Sequence, residues 1–305
     1  MKTILVLTDF TIKAECAAKF AIYLGIKNKA NLLLCHAIEP DWQFANKSSK
    51  GDKQLALNKK SLLELEVAGN LMKKLILADK GMFEPQITYL AAIGSLMEVT
   101  KNIIVEKKVD LVVAGNHRSN WLARLLFGSH IHSLIDQLDR PLLIVPEDVP
   151  YKGIKTIGYA TDLSFDNTKA IDYLAKIAAP FEAALSINYV SPRQFPDKTG
   201  RSGEFSLSFR PNRDHPLVAY HHIKADDIKS ELLALTRSKS INILALVHRR
   251  YKFFGKIFHQ SICASLAYRS RTPLLILPDL FSLTAPVYKA DLINNYSYEV
   301  NLAQL

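Results

Sequence analysis

Ile4-Leu5-Val6-Leu7-Thr8-Asp9-Phe10-Thr11, near the start of the chain, is answered about 150 residues later by Ile157-Gly158-Tyr159-Ala160-Thr161-Asp162-Leu163-Ser164. Each is an apolar run that ends in Thr-Asp, passes a short turn and enters an amphipathic helical stretch. The closing segments repeat too: Arg140-Pro141-Leu142-Leu143-Ile144-Val145-Pro146 matches Thr272-Pro273-Leu274-Leu275-Ile276-Leu277-Pro278. Repetition on this scale marks two fused copies of one unit. It divides the sequence into a first domain, 1–150, a second, 151–278, and a C-terminal tail, 279–305. The functional question becomes which copy keeps a working site.

Working outward, the first copy reads as strand 2–8, helix 12–26, strand 30–37, a polar loop through Ser48-Ser49-Lys50-Gly51, and a long helix 53–80. Strand 86–92, helix 96–107, strand 109–114, a glycine-flanked loop, helix 129–138 and strand 141–145 complete it. Leu111-Val112-Val113-Ala114 and Leu142-Leu143-Ile144-Val145 are continuous apolar runs, as expected where helices cover both faces of a parallel sheet. The expected fold is therefore α/β, with two tandem open sandwiches, each built on a five-stranded parallel sheet. Ser95 before the third helix, with Glu98 three residues on, has the spacing of a capping box.

The second copy repeats the order with strands 154–160, 183–190, 217–222, 241–247 and 273–277, and helices 166–178, 225–237 and 259–269. Residues 191–215, with Pro192, Pro196, Gly200, Gly203 and Pro211, are irregular where the first copy has its long helix. The tail carries Phe281, Leu283, Val287, Tyr288, Leu292 and Ile293, too apolar for a free disordered end, and is expected to pack on a domain or on a partner chain.

Composition narrows the classes. With 305 residues, 49% hydrophobic content and charges of both signs throughout, each copy is long enough to bury its own core. The opening strand stops at Asp9, too short for a signal peptide or a membrane span, which makes the cytoplasm the expected compartment. Cys16, Cys35 and Cys263 lie in apolar stretches without ligand-like spacing and read as core residues, so no metal site is expected. The net charge of +10 is uneven, with 19 Lys/Arg against 16 Asp/Glu in residues 1–150 and 19 against 10 in residues 151–278. No helix-turn-helix, zinc-finger spacing or interleaved aromatic and basic strands accompany that excess, so no dedicated nucleic-acid module is expected.

The segment that carries chemistry is Gly115-Asn116-His117-Arg118-Ser119-Asn120-Trp121-Leu122-Ala123-Arg124-Leu125-Leu126-Phe127-Gly128-Ser129-His130. It leaves the fourth strand at Gly115 and enters the last helix near Gly128-Ser129. Glycines at both ends permit tight turns and close backbone approach, while a helix start offers free N–H groups and a positive dipole end to an anion. Asp9 lies on the same edge of the sheet, where ligands settle in open α/β folds. Asp9 also suits a cap for a helix starting at Ile12, and Gly128-Ser129 suits a plain helix start, so the residues alone leave both readings open.

This pattern resembles the universal stress protein family, and the chain resembles a tandem member over residues 1–278. Nucleotide-binding members carry Gly-x2-Gly-x9-Gly-Ser/Thr around the phosphates of ATP. Here Gly115 and Gly128-Ser129 match, the x9 spacing is kept, and Arg118 replaces the middle glycine. The resemblance implies an adenine nucleotide, with magnesium as its companion ion, held by the first domain alone. Asp9 would approach the ribose or adenine end, Ala37 the base, and Ala114 and His130 would flank the loop, with His117 and Arg118 near phosphate. It also implies a regulatory stress-response role and dimers formed through last-strand edges, which a tandem chain satisfies internally as a pseudo-dimer through strands 141–145 and 273–277. A homodimer or another protein partner would add to this.

The corresponding loop of the second copy runs Leu246-Val247-His248-Arg249-Arg250-Tyr251-Lys252-Phe253-Phe254-Gly255-Lys256-Ile257-Phe258-His259-Gln260-Ser261. With Leu246 set against Gly115, Arg249 stands for Arg118 and His259-Gln260 for Gly128-Ser129, so no family glycine stands in register. Asp162 then reads as a cap for helix 166–178. No catalytic signature occurs: no His-Glu-x2-His, no Cys-x2-Cys, no Gly-x-Ser-x-Gly and no Walker lysine. His221-His222, at the end of the expected strand, point to opposite faces and make no joint metal site. Two further classes stay open, a nucleotide-free protein acting through protein contacts and a slow ATP hydrolase.

Overall fold

The computed structural model describes residues 1–39, 50–78, 83–116, 131–163, 167–193, 218–249, 259–279 and 297–300. Its first half contains β1 (Thr3–Leu7), α1 (Ile12–Asn28), β2 (Asn31–Ile38), α2 (Lys50–Ala78), β3 (Ile87–Ile93), α3 (Leu96–Glu106), β4 (Leu111–Asn116), helical residues 131–137, here α4, and β5 (Leu142–Pro146). The second half contains β6 (Thr156–Thr161), α5 (Thr168–Ala178), β7 (Ala184–Pro192), β8 (Val218–Ala225), α6 (Ile228–Leu235), β9 (Ile243–His248), α7 (His259–Arg269) and β10 (Leu274–Pro278). A last strand, β11 (Ser297–Val300), comes from the tail.

Among the described residues, the eleven strands join one sheet in the order β11-β3-β2-β1-β4-β5-β10-β9-β6-β7-β8. Each half is a five-stranded parallel sheet of order 3-2-1-4-5, and the halves meet where β10 runs antiparallel to β5, with Leu275 opposite Leu143. At the outer edge of the first half, β11 lies antiparallel to β3. The apolar runs explain the two-sided burial. Ile4, Val6, Leu111 and Val113 pack with α1, α2 and α5 on one face, and Leu5, Leu7, Val112 and Ala114 pack with α3, α4, α6 and α7 on the other.

The repeat extends to individual hydrogen bonds. Thr8 Oγ1 accepts from Phe10 N, and Thr161 Oγ1 accepts from Leu163 N, each at 3.0 Å. Phe10 and Leu163 both hold positive φ, 60° and 54°, a conformation that side-chain bonding of this kind supports in non-glycine residues. Asp110 Oδ2 accepts from Lys2 N and Thr3 N, and Asn242 Oδ1 accepts from Lys155 N and Thr156 N at 2.8 and 2.9 Å. Between the halves, Tyr151 stacks on Tyr23 with ring centroids 3.9 Å apart and meets Phe20 edge-on, fastening residues 147–155 to α1.

Several boundaries differ from the sequence reading. Lys50 and Gly51, read as loop, belong to α2, where a first-turn glycine costs less than one in the interior. The strand expected at 217–222 runs on to Ala225, so His221 and His222 lie within β8, and α6 begins later, after Asp227. That aspartate is the missed signal, since its carboxylate accepts from Lys229 N and Ser230 N. Asp162 is not the cap of α5, whose N-cap is Asn167. The Asn167 side chain instead accepts from Tyr159 and Thr161 hydroxyls at 2.6 and 2.8 Å. Ser95 caps α3 as expected, accepting from Glu98 N at 3.3 Å. Most of the irregular segment read at 191–215 lies outside the described residues, which resume at 218.

The sheet register also corrects the alignment of the two loops. Ala114 pairs with Leu7, and Leu246 pairs with Ala160, the counterpart of Leu7. Leu246 thus corresponds to Ala114, Val247 to Gly115, and Asn116 to His248. The shift carries Arg118 onto Arg250, Gly128 onto Gln260 and Ser129 onto Ser261. No glycine stands in register in the second copy even so, but a serine does.

Candidate functional site

β1 is the strand at which the winding reverses, with β2 on one side and β4 on the other. Side chains at the carboxyl ends of these three strands surround the crevice where open α/β sheets take ligands. Leu7 pairs with Cys35 and with Ala114, so Asp9 and Ala37 each lie two residues beyond one level of the sheet and Gly115 one residue beyond it. Four sequence-expected residues, Asp9, Ala37, Ala114 and Gly115, therefore come together. His117, Arg118, Gly128, Ser129 and His130 lie outside the described residues.

Asp9 is exposed and closely held. Its Oδ1 accepts from Thr11 N at 3.2 Å and from the Thr11 hydroxyl, and its Oδ2 lies 2.9 Å from Lys13 Nζ. These bonds form a side-chain turn and an i,i+4 ion pair instead of the expected helix cap; the N-cap of α1 is Thr11, whose own side chain caps nothing. Partial burial pushes the carboxyl pKa up, but the Thr11 and Lys13 hydrogen bonds and the Lys13 charge outweigh it and hold Asp9 below the ordinary carboxylate value. At neutral pH the crevice thus presents an ionised acceptor.

Sequence reasoning missed Thr8, Lys13 and His36. Thr8 sets the turn that turns Asp9 outward, and its carbonyl oxygen lies 2.8 Å from His36 Nδ1. A carbonyl only accepts, so Nδ1 carries the proton in that bond. Phe10 packs on the His36 ring at 4.6 Å between centroids. The Asp9-Lys13 pair was legible as an i,i+4 spacing, whereas the Thr8-His36 contact joins two strands and has no local signal.

Gly115 has a packing reason of its own. A Cβ there would lie 2.3 Å from the Lys13 carbonyl oxygen and 2.9 Å from Ala14 N, so the absent side chain lets the first turn of α1 rest against the end of β4. Ala114 is buried and Ala37 half-buried, and neither fills the crevice with bulk. Among the described residues no cluster of His, Cys, Asp and Glu could hold a metal ion, and no helix is long and apolar enough to cross a membrane.

Fold and site define a class, the doubly wound α/β proteins whose ligand crevice opens at the carboxyl ends of parallel strands beside the first helix. Within it, the model of the universal stress protein family matches residues 1–146. That match covers the first half of the chain, and the second half repeats the same strand order. A universal stress protein from Archaeoglobus fulgidus DSM 4304 superimposes with a TM-score of 0.62 at 14% identity, over 90% of this chain and 98% of that one. A putative universal stress protein from Pseudomonas aeruginosa UCBPP-PA14 gives 0.57 at 12% identity, over 91% and 93%. At these identities the likeness is one of fold. No curated protein sequence matches the chain.

Proposed function

We propose that the first domain binds an adenine nucleotide, with magnesium as companion ion, and that the chain acts in the cytoplasm as a regulatory stress-response protein. The observation that carries this reading is Asp9, exposed, ionised and held by Thr11 and Lys13 at the strand-order reversal, between the small residues Ala37 and Ala114. A carboxylate there suits ribose hydroxyl donors, and the alanines leave room for a flat base. Within this reading the phosphates belong to Gly115, His117, Arg118, Gly128, Ser129 and His130, and the second domain takes no nucleotide because Val247 stands where Gly115 does.

A second reading has its own observation. Gly115 is accounted for by the approach of α1 alone, which favours a nucleotide-free protein acting through protein partners, with the pairing of β5 and β10 as its internal pseudo-dimer. Isothermal titration of ATP, ADP and AMP into nucleotide-stripped protein with magnesium separates the two. The nucleotide reading expects about one site per chain, weakened about tenfold or more in Asp9→Ala, the effect expected when a charged acceptor is lost. Absence of binding at millimolar nucleotide by folded protein overturns it. Release of inorganic phosphate in the same samples would instead point to a slow hydrolase.

A further inference from the structure

The register aligns the two halves residue for residue and exposes one place where they differ in kind. Leu33, Cys35 and Leu90 of the first half face α3 and α4, at 3%, 1% and 4% exposure. Cys35 pairs with Leu7 and Leu90, and Asn188 pairs with Ala160 and His221, so Asn188 replaces Cys35 and His221 replaces Leu90. By the same register Ser186, beside Gly158, replaces Leu33, beside Leu5. Three core positions on one sheet face have become polar together.

These three residues line an open cleft of about 530 Å³, with Ser238 and Ser240 opposite and Leu235 as an apolar wall. Asn188 is only 3% exposed. Its Nδ2 donates to the Ser186 carbonyl at 2.8 Å and to Ser186 Oγ at 3.3 Å, while its Oδ1 receives no donor from the described residues. That oxygen is not enclosed but reaches the cleft, where a ligand hydroxyl can donate to it, whereas the same place in the first half holds the buried Cys35 thiol. Among the described residues neither a carboxylate nor a lysine or arginine lines the cleft. Its donors and acceptors are hydroxyl, amide and imidazole, which match a neutral ligand rich in hydroxyl groups and suit no multiply charged one.

We infer that the second half carries a binding site for a small neutral polyol of about monosaccharide size, in which Asn188 Oδ1 accepts from a ligand hydroxyl and Ser186, His221, Ser238 and Ser240 complete the shell. This site lies beside Thr156, toward the amino ends of the second-half strands, and is separate from the Asp9 crevice. It gives the second copy a ligand of its own in place of the lost phosphate loop.

The test is saturation-transfer-difference NMR on the full chain with D-glucose, D-galactose, D-ribose and myo-inositol as probes. At least one should show transfer that falls about fivefold or more in Asn188→Cys, the residue found at the equivalent first-half position. Circular dichroism checks that this variant is folded. Ser240→Ala, at the cleft rim, is the second variant and should weaken the same probe without disturbing the core. Silence from every probe, or equal transfer to wild type and both folded variants, overturns the proposal and leaves the polar face as hydrated surface under a short helix.

Discussion

Asn116 Nδ2 donates to the carbonyl oxygen of Ala267 at 2.7 Å, joining the end of β4 to α7 across the junction between the halves. Its counterpart in the repeat, His248, reaches the other way. His248 Nε2 lies 3.2 Å from Asp136 Oδ1 on α4, and Asp136 Oδ2 lies 2.9 Å from His132 Nδ1. Each fourth strand therefore ends on the last helix of the opposite half. The β5-β10 pairing alone would allow the halves to twist about a single strand pair, and two reciprocal polar contacts resist that motion.

Removing one of them should weaken the junction measurably. Asn116 is 5% exposed, so Asn116→Ala removes a buried bond and leaves the Ala267 carbonyl without its donor, a loss of about 1–3 kcal/mol. Urea unfolding followed by far-ultraviolet circular dichroism should show a lower midpoint with an unchanged slope. A midpoint equal to that of wild type would show that water replaces the amide at no cost.

The glycines at positions 115 and 158 should respond unequally to alanine. At Gly115 the added Cβ meets backbone, the Lys13 carbonyl 2.3 Å away, and relief requires moving α1 off the sheet. At Gly158 the nearest atom is Ile241 Cδ1 at 2.9 Å, the mobile end of a side chain. Gly115→Ala is expected to cost about 3 kcal/mol or more, and Gly158→Ala about 1 kcal/mol or less. Thermal melts of the pair decide the matter, and equal losses would contradict the packing account of Gly115.

Much of the fold was legible because its signals are local or repeated. The apolar runs of β1, β4 and β5, the Thr-Asp turn and Ser95 before α3 each depend on neighbours within a few residues. The start of α6 was missed because Asp227 caps it from within a stretch that reads as continuous helix. The register of the second loop slipped by one residue because a run such as Leu244-Ala245-Leu246-Val247 is apolar on both faces, so nothing in it marks which residue faces which way. At the site, Asp9 and Gly115 were visible as motif residues, but the reason for Gly115 was not, since Lys13 meets it only in the folded chain. The polar cleft was hidden for the same reason: Ser186, Asn188 and His221 become a cluster only when β7 and β8 are laid side by side and compared with β2 and β3.

Asp9 predicts a small acid-sensitive contribution to stability. Its folded pKa is depressed, so the folded state favours the ionised carboxyl, and that stability is fully present above the unfolded value near 3.8 and lost as pH falls through the lower folded value. Because the side chain is 47% exposed, Asp9→Asn should cost no more than about 1 kcal/mol at neutral pH, and the gap between variant and wild type should close toward pH 3. Stability curves of both proteins from pH 7 to about pH 3 test this. A gap that widens on acidification would mean that Asp9 is strained in the fold.

The buried thiols make the opposite prediction, at the alkaline end. Burial pushes Cys35 up to about 12 and Cys263 likewise to about 12, with the nearby Asp136 charge adding to the latter. In the unfolded chain both lose their protons near the ordinary thiol value of 9.0, while the folded chain keeps them. The unfolded state therefore binds fewer protons above that pH, and stability falls as pH rises from about 9 toward about 12. Tyr159, whose hydroxyl is buried against Asn167, shifts upward for the same reason and adds to the decline. The same burial governs reactivity. Native protein at pH 8 should titrate with an aromatic disulfide reagent at the half-buried Cys16 alone, and slowly, since that thiol is also raised and donates to the Glu147 carbonyl at 2.9 Å. All three thiols should react at once in denaturant. Rapid native labelling of Cys35 or Cys263, located by mass spectrometry of the digested protein, would mean that the sheet opens at β2 or that α7 lifts from the junction on the timescale of the reaction.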